Sequence, residues 1–313
     1  MSFEIQIAPL SHFELVRLID TSTKTVIEIV TKGALLNSWQ VMGHSKSMEI
    51  VEGNDFSEGW GDFEAGGFKG GKMSPFSCRI QNGQYTFEDK TYTIEKFYHE
   101  KHALHGILYD ALFSVELTET DDQGAYLHLK YHYEATDKGF PFAYTVLIKW
   151  HLLKNNVVTA ETIITNLTDS TIPMMDGWHP YFTLGGQVDQ YMLEFQSNAR
   201  LTMRDDMIPT GNMIQENRFE NGLLIGHTHY DDCFLLDPKQ NKIQLSYEGK
   251  SITVSPIHNY PYLQLYTPKD RKSIAIENLS GAPDCFNNKM GLQKLEPQGK
   301  IYFETSYQFK TTS

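Results

Sequence analysis

The sequence predicts an all-β protein built as a large sandwich. Three observations carry this: repeated two-residue hydrophobic alternation, turn signals between the alternating runs, and no long stretch with a helical period. In LHLKYHYEA, Leu127, Leu129, Tyr131 and Tyr133 share one face, and His128, Lys130, His132 and Glu134 share the other. Successive strand residues point to opposite faces, so this is the pattern of a half-buried strand. In TVLIKWHLL, Val146, Ile148, Trp150 and Leu152 share a face. VVTAETIIT, IQLSYEG, SITVSP, YLQLYTP, SIAIENL and YFETSYQFK follow the same rule and are rich in β-branched and aromatic residues. Turns are expected at Asp121–Gly124, Asn166–Asp169, Glu248–Lys250, Asn259–Pro261 and Pro297–Gly299. Many short strands at this spacing suit a sandwich or barrel rather than βαβ units.

With 313 residues the chain can bury a large core without disulfides or a structural metal. No repeat, low-complexity segment or Pro/Gly/Ser linker divides it, so residues 1–313 are expected to form a single domain. The run Gly66-Gly67-Phe68-Lys69-Gly70-Gly71 reads as a loop near a ligand, and it lacks the ending of a P-loop. Composition is that of a globular protein, with 40% hydrophobic and 21% charged residues. The formal charge of −12 and the absence of a basic stripe argue against a nucleic-acid partner. No apolar run approaches a membrane-spanning length, and the N-terminus lacks the pattern of a signal peptide. Cys78, Cys233 and Cys285 are too few and scattered for a disulfide framework or a CxxC metal site, although one bridge is compatible with the sequence. A reduced, cytoplasmic location is expected; the sequence says nothing of oligomeric state.

Twelve histidines raise the question of a metal. His99, His102 and His105 are three apart, and His227 and His229 are two apart, but no HExxH or Cys/His zinc spacing is present. No metal and no cofactor are therefore expected. His179 is more informative, lying in Asp176-Gly177-Trp178-His179-Pro180-Tyr181-Phe182. Aromatic neighbours place it in an apolar setting suited to sugar stacking, where burial lowers an imidazole pKa and a carboxylate raises it. A packed structural histidine would look the same. Glu277 follows Ile274, Ala275 and Ile276 on a strand-like run, on the face of small Ala275, where a ligand has room. Alone it reads as an ordinary exposed glutamate. His105, Arg79 and Asp231 are each weak signals in isolation.

Taken in order, these segments resemble the aldose 1-epimerase, or galactose mutarotase-like, family. Gly33-Ala34-Leu35 looks like its opening GA-x-L, and Pro75–Ile80 like its PF-x-N-R-I. Leu104-His105-Gly106 matches LHG, and His179-Pro180-Tyr181-Phe182 the His-Pro-Tyr-Phe segment. Tyr230–Phe234 looks like a later Asp-containing segment, and Glu277 with Pro283-Asp284 and Asn287 matches the family's ending. The resemblance implies a large β-sandwich of the galactose mutarotase-like type. It also implies an isomerase that interconverts the α and β anomers of a free aldose. His179 would be the general acid and Glu277 the general base, with His105 holding substrate near the reacting centre. Arg79 and Asp231 would bind sugar hydroxyls, and Trp178 and Tyr266 would supply aromatic contacts. Cys78 departs from the family's Asn, and Glu277-Asn278-Leu279 from its commoner Glu-Thr-Gln. Three alternatives follow. One is a hexose-6-phosphate mutarotase, with Lys69, Lys72 and Arg79 as its cationic pocket. Another is a non-catalytic carbohydrate-binding protein on the same fold. The weakest is a two-carboxylate glycosidase, since Glu277 has no second carboxylate with a motif of its own.

Overall fold

A computed structural model describes residues 2–43 and 46–311. Among these the strands lie in several antiparallel sheets, and the only α-helix is the single turn Cys285–Asn288. The largest sheet has nine strands. Its first five, in spatial order, are Ser114–Thr120, Gly124–Tyr133, Tyr144–Leu153, Val157–Asn166 and Lys300–Thr311. Lys250–His258, Ile243–Tyr247, Met192–Phe195 and Leu223–Leu224 complete it. A second sheet orders Pro209–Ile214, Ser197–Met203, Asp231–Leu236, Tyr262–Tyr266, Ile274–Leu279, Gly177–Trp178 and Lys72–Met73. Tyr181–Phe182 also pairs with Ile274–Leu279. A five-stranded meander from Phe3–Leu10 to Ser47–Glu49 forms a third sheet.

Alternation explains how the two large sheets meet. Val146, Ile148, Trp150 and Leu152 are buried, as their shared face requires. Across the interface Trp150 packs edge-on against Trp178 at 4.9 Å, and Tyr307 meets Phe182 at 5.5 Å. Such aromatic pairs add about 0.5–1.5 kcal/mol each beyond their buried area. The N-terminal sheet is tied to the same layer by Trp150 Nε1, which donates to the Ala34 carbonyl at 2.8 Å. One contiguous apolar cluster runs from Phe3 to Phe309.

The turns follow from local chemistry. Asp121 Oδ1 accepts from the amides of Gln123 at 2.7 Å and Gly124 at 2.9 Å, closing the hairpin into Gly124–Tyr133. Glu248 and Gly249 both have positive φ, 45° and 70°, as a two-residue hairpin turn matched to strand twist demands. All three cysteines are free and buried. Among the described residues no helix is long and apolar enough to cross a membrane.

Candidate active site

Register brings the polar residues of the second sheet onto one face. Gln264 lies opposite both Cys233 and Glu277, and Tyr266 lies opposite both Asp231 and Ala275. Directly opposed residues share a face, so Asp231, Gln264, Tyr266 and Glu277 form one floor. Asn278, one residue on, points the other way and donates to Thr305 of the facing sheet. Ala275 also opposes Tyr181, and its small side chain lets the rings of Tyr181 and Tyr266 meet edge-on at 6.4 Å. Glu277 is 2% exposed, so it is no surface strand glutamate.

The walls come from loops of unusual backbone. His105 and Gly106 both adopt positive φ, 57° and 82°, and a Cβ on Gly106 would meet the Ser74 carbonyl oxygen at 2.4 Å. The kink sends the His105 ring against His179 at 5.1 Å and Phe68 at 4.8 Å. Gly70, at φ 73°, donates its amide to the His179 carbonyl at 2.9 Å, while the His179 amide donates to the Gly71 carbonyl at 3.1 Å. Gly67 and Phe68 of the same glycine-rich loop line the cavity. Arg79 projects in from a two-residue strand paired with Leu104.

Together these residues enclose a cavity of about 220 Å³. That is smaller than the roughly 300–1,000 Å³ of pockets for drug-sized ligands. In it His179 Nε2 lies 3.3 Å from Glu277 Oε1. Burial lowers the imidazole pKa from 6.5 to about 4 and pushes the Glu277 carboxyl well above its usual 4.5, with the Asp231 charge adding to the latter. Burial therefore disfavours the charged form of both groups. Burial also pushes the His105 pKa well below its ordinary 6.5, and the nearby Arg79 guanidinium acts in the same direction. The Asp231 carboxyl is raised by burial, against the pull of Arg79.

Buried polar atoms without a partner mark where a ligand's groups belong. His179 Nδ1, His105 Nδ1, Glu277 Oε2 and Gln264 Oε1 are all in this state and all belong to cavity-lining residues. The Arg79 side chain has no hydrogen bond or ion pair among the described residues. Asp231 Oδ1 is held by Gln264 Nε2 at 2.7 Å.

Of the residues expected from sequence, His179, Glu277, His105, Arg79 and Asp231 converge here, and Tyr266 joins them. Trp178 does not. It is next to His179 on an extended segment and therefore faces the opposite way, 1% exposed against Trp150, with the Lys72 ammonium 4.2 Å from its ring centre. The aromatic walls are Phe68, Phe97, Tyr181 and Tyr266 instead. His99, weighed from sequence as a metal ligand and read as a surface residue, is exposed and lines the cavity. Gln264 escaped sequence reading; its position midway along YLQLYTP, on the face of Tyr266, was the available signal. Of the histidines spaced by three, His102 turns away, its Nδ1 accepting from the Asn82 amide at 2.9 Å, while His99 and His105 both line the cavity. Among the described residues no three His, Cys, Asp or Glu side chains form a metal-holding group.

The two large sheets thus carry a small cavity in which a buried imidazole and a buried carboxyl stand 3.3 Å apart. The chain belongs to the aldose 1-epimerase family, whose sequence model matches residues 14–308. It is 25% identical over 233 residues to the uncharacterized protein YihR of Escherichia coli, covering 72% of this chain and 73% of that one. It is 24% identical over 323 residues to the bifunctional protein gal10 of Schizosaccharomyces pombe, spanning 88% of this chain but 42% of that larger protein. Among solved structures, a galactose mutarotase-like protein from Clostridium acetobutylicum superposes with a TM-score of 0.87 over 99% of both chains at 16% identity. A galactose 1-epimerase from Lactobacillus acidophilus does so with 0.85 over 100% of both at 16% identity. At such identities these structures speak for the fold.

Proposed function

We propose that this protein is an aldose 1-epimerase that opens and recloses the ring of a free, neutral aldose. The observation that carries the reading is the 3.3 Å approach of His179 Nε2 to Glu277 Oε1 inside a small buried cavity. A cyclic sugar is a hemiacetal. Opening it requires a proton delivered to the ring oxygen and a proton taken from the C1 hydroxyl. Both oxygens are bonded to the same carbon, so acid and base must stand side by side, as these two do. In the proposed division of labour His179 is the acid and Glu277 the base. A proton passed from the carboxyl to the imidazole when sugar binds would leave the site's net charge unchanged. After rotation about C1–C2 the roles reverse and the other anomer closes. No cofactor enters this cycle. His105 helps hold the sugar near the reacting carbon; Arg79 and Asp231 bind hydroxyls by charge-assisted hydrogen bonds. Gln264 Oε1, free of any protein donor, accepts another. A non-catalytic sugar binder would have no use for the adjoining acid and base. Residues 1–313 act as one domain in this reading, supported by the apolar cluster that runs from Phe3 to Phe309.

The phosphosugar alternative loses two of its three cations. Lys72 is fully buried away from the cavity on Asp176, and Lys69 is paired with Glu52 at 2.5 Å. Only Arg79 remains, facing Asp231, Glu277 and Glu64. Mutarotation of pure α-glucose and α-galactose, followed by polarimetry or NMR, tests the activity. The value of kcat/KM should exceed that for glucose 6-phosphate by at least about tenfold, since an added dianion meets three carboxyl groups and one guanidinium. Equal or better use of the phosphate would overturn the substrate class. The acid–base pair supplies both proton transfers, so dialysis against a chelator should leave the rate unchanged. A loss restored by one divalent ion would show that a metal takes part.

A further inference from the structure

Directly behind His179, between the two large sheets, lies a charged cluster outside the cavity. Lys72 is 0% exposed. Its ammonium donates to Asp176 Oδ1 at 2.5 Å and Thr162 Oγ1 at 2.9 Å, and sits 4.2 Å from the Trp178 ring centre. Tyr260 Oη donates to the same Asp176 oxygen at 2.6 Å. A buried ion pair is a poor stability device, because desolvation of two charges offsets their attraction. Burial indeed pulls Lys72 down from 10.5 to about 8, against the attraction of Asp176, and raises Asp176 despite Lys72.

The cluster's connections suggest another role. Lys72 directly follows Gly70 and Gly71, whose backbone clamps His179 from both sides. Lys72 is also the register partner of Trp178, the residue before His179. Asp176 lies three residues before His179. Its amide donates to Ser280 Oγ at 2.8 Å, and its carbonyl accepts the Ser280 amide at 2.9 Å. Ser280 lies three residues after Glu277. The pair thus ties together the clamp, the His179 segment and the Glu277 strand.

We infer that the buried Lys72–Asp176 pair is a positioning device that sets the separation of His179 and Glu277 from the far side of the sheet. This rests on the reading of those two groups as acid and base. Lys72→Met alone strands Asp176 as an unpaired buried carboxylate and is expected to unfold the chain. The test therefore uses Lys72→Met with Asp176→Leu, which removes both charges and fills the site with apolar groups. The double variant should melt within a few degrees of the wild type. Its kcat should fall by about 10–10²-fold with KM changed less than about twofold, since small misplacements of reacting groups are costly. Crystal structures of both proteins should show the His179–Glu277 separation lengthened in the variant. A folded double variant with wild-type kcat overturns the inference. If the wild type itself proves inactive on every aldose, the activity reading fails separately. The crystallographic separation then decides, and an unchanged distance overturns the positioning role.

Discussion

Glu277→Gln should lower kcat for mutarotation by about 10²–10⁴-fold, the usual worth of a general acid or base, while sugar still binds. Gln keeps the shape and can hydrogen-bond to the C1 hydroxyl, but its amide cannot take a proton. Loss confined to kcat, with binding by NMR titration retained, is the signature of an interaction made in the transition state. The same substitution should stabilise the fold at neutral pH. In the unfolded chain this carboxyl ionises near its ordinary 4.5, whereas burial, with Asp231 nearby, holds the proton on in the folded protein. A raised folded pKa gives a contribution fully present below the unfolded value and lost as pH climbs through the folded one. Gln does not titrate. The gain in melting temperature over wild type should therefore be smallest near pH 4 and largest at neutral pH. Near-normal mutarotation in the variant would remove Glu277 from the role of base. A gain in stability equal at both pH values would remove the carboxyl burial as its cause.

How much of this was legible in the sequence depended on which physical signal each feature leaves. The long strands of the nine-stranded sheet were clear because one face meets a core and the other does not; Tyr144–Leu153 alternates buried and half-buried without a break. Strand Ile274–Leu279 is buried at every position, because a cavity rather than solvent covers its second face. Alternation still put Glu277 with Ala275, yet its isolated reading as an exposed glutamate failed for that reason. The N-terminal sheet yielded no expected strand. Its edge strand Phe3–Leu10 is largely exposed and its pattern irregular. His179, His105 and Glu277 were found through short ordered motifs; what motifs do not carry is direction. Trp178 lies in such a segment yet points into the core, since adjacent residues of extended chain diverge. Lys72 looked like a candidate phosphate ligand because a lysine is expected at the surface; only tertiary contact shows Asp176 and Thr162 drawing it inside. Gln264 had no motif, and its place beside Glu277 follows from strand register, which a single strand does not encode.

His179→Asn is expected to cost a further 10²–10⁴-fold when made alone, on the order of any lost general acid. Asn removes the titrating ring while keeping a polar group of lesser reach, and the stacking of the imidazole on Tyr181, 4.9 Å between ring centres, goes with it. The double variant of His179→Asn with Glu277→Gln should lose far less than the product of the two single losses. Acid and base act in one proton-transfer unit, and once either is gone the other has little left to assist. The pH dependence gives an independent reading. With the imidazole lowered to about 4, His179 becomes cationic below that value, and kcat/KM of the wild type should fall on its acid side there. The other limb lies where the raised Glu277 carboxyl ionises, and both limbs belong to the coupled pair rather than to either residue. In His179→Asn the acid limb near 4 should disappear from the residual activity. His128, on the half-buried outer face of Gly124–Tyr133, supplies the control, and His128→Asn should leave both rate and pH profile unchanged. Fully multiplicative losses in the double variant, or an acid limb that survives without His179, would separate the two residues and leave Glu277 to be paired with another acid.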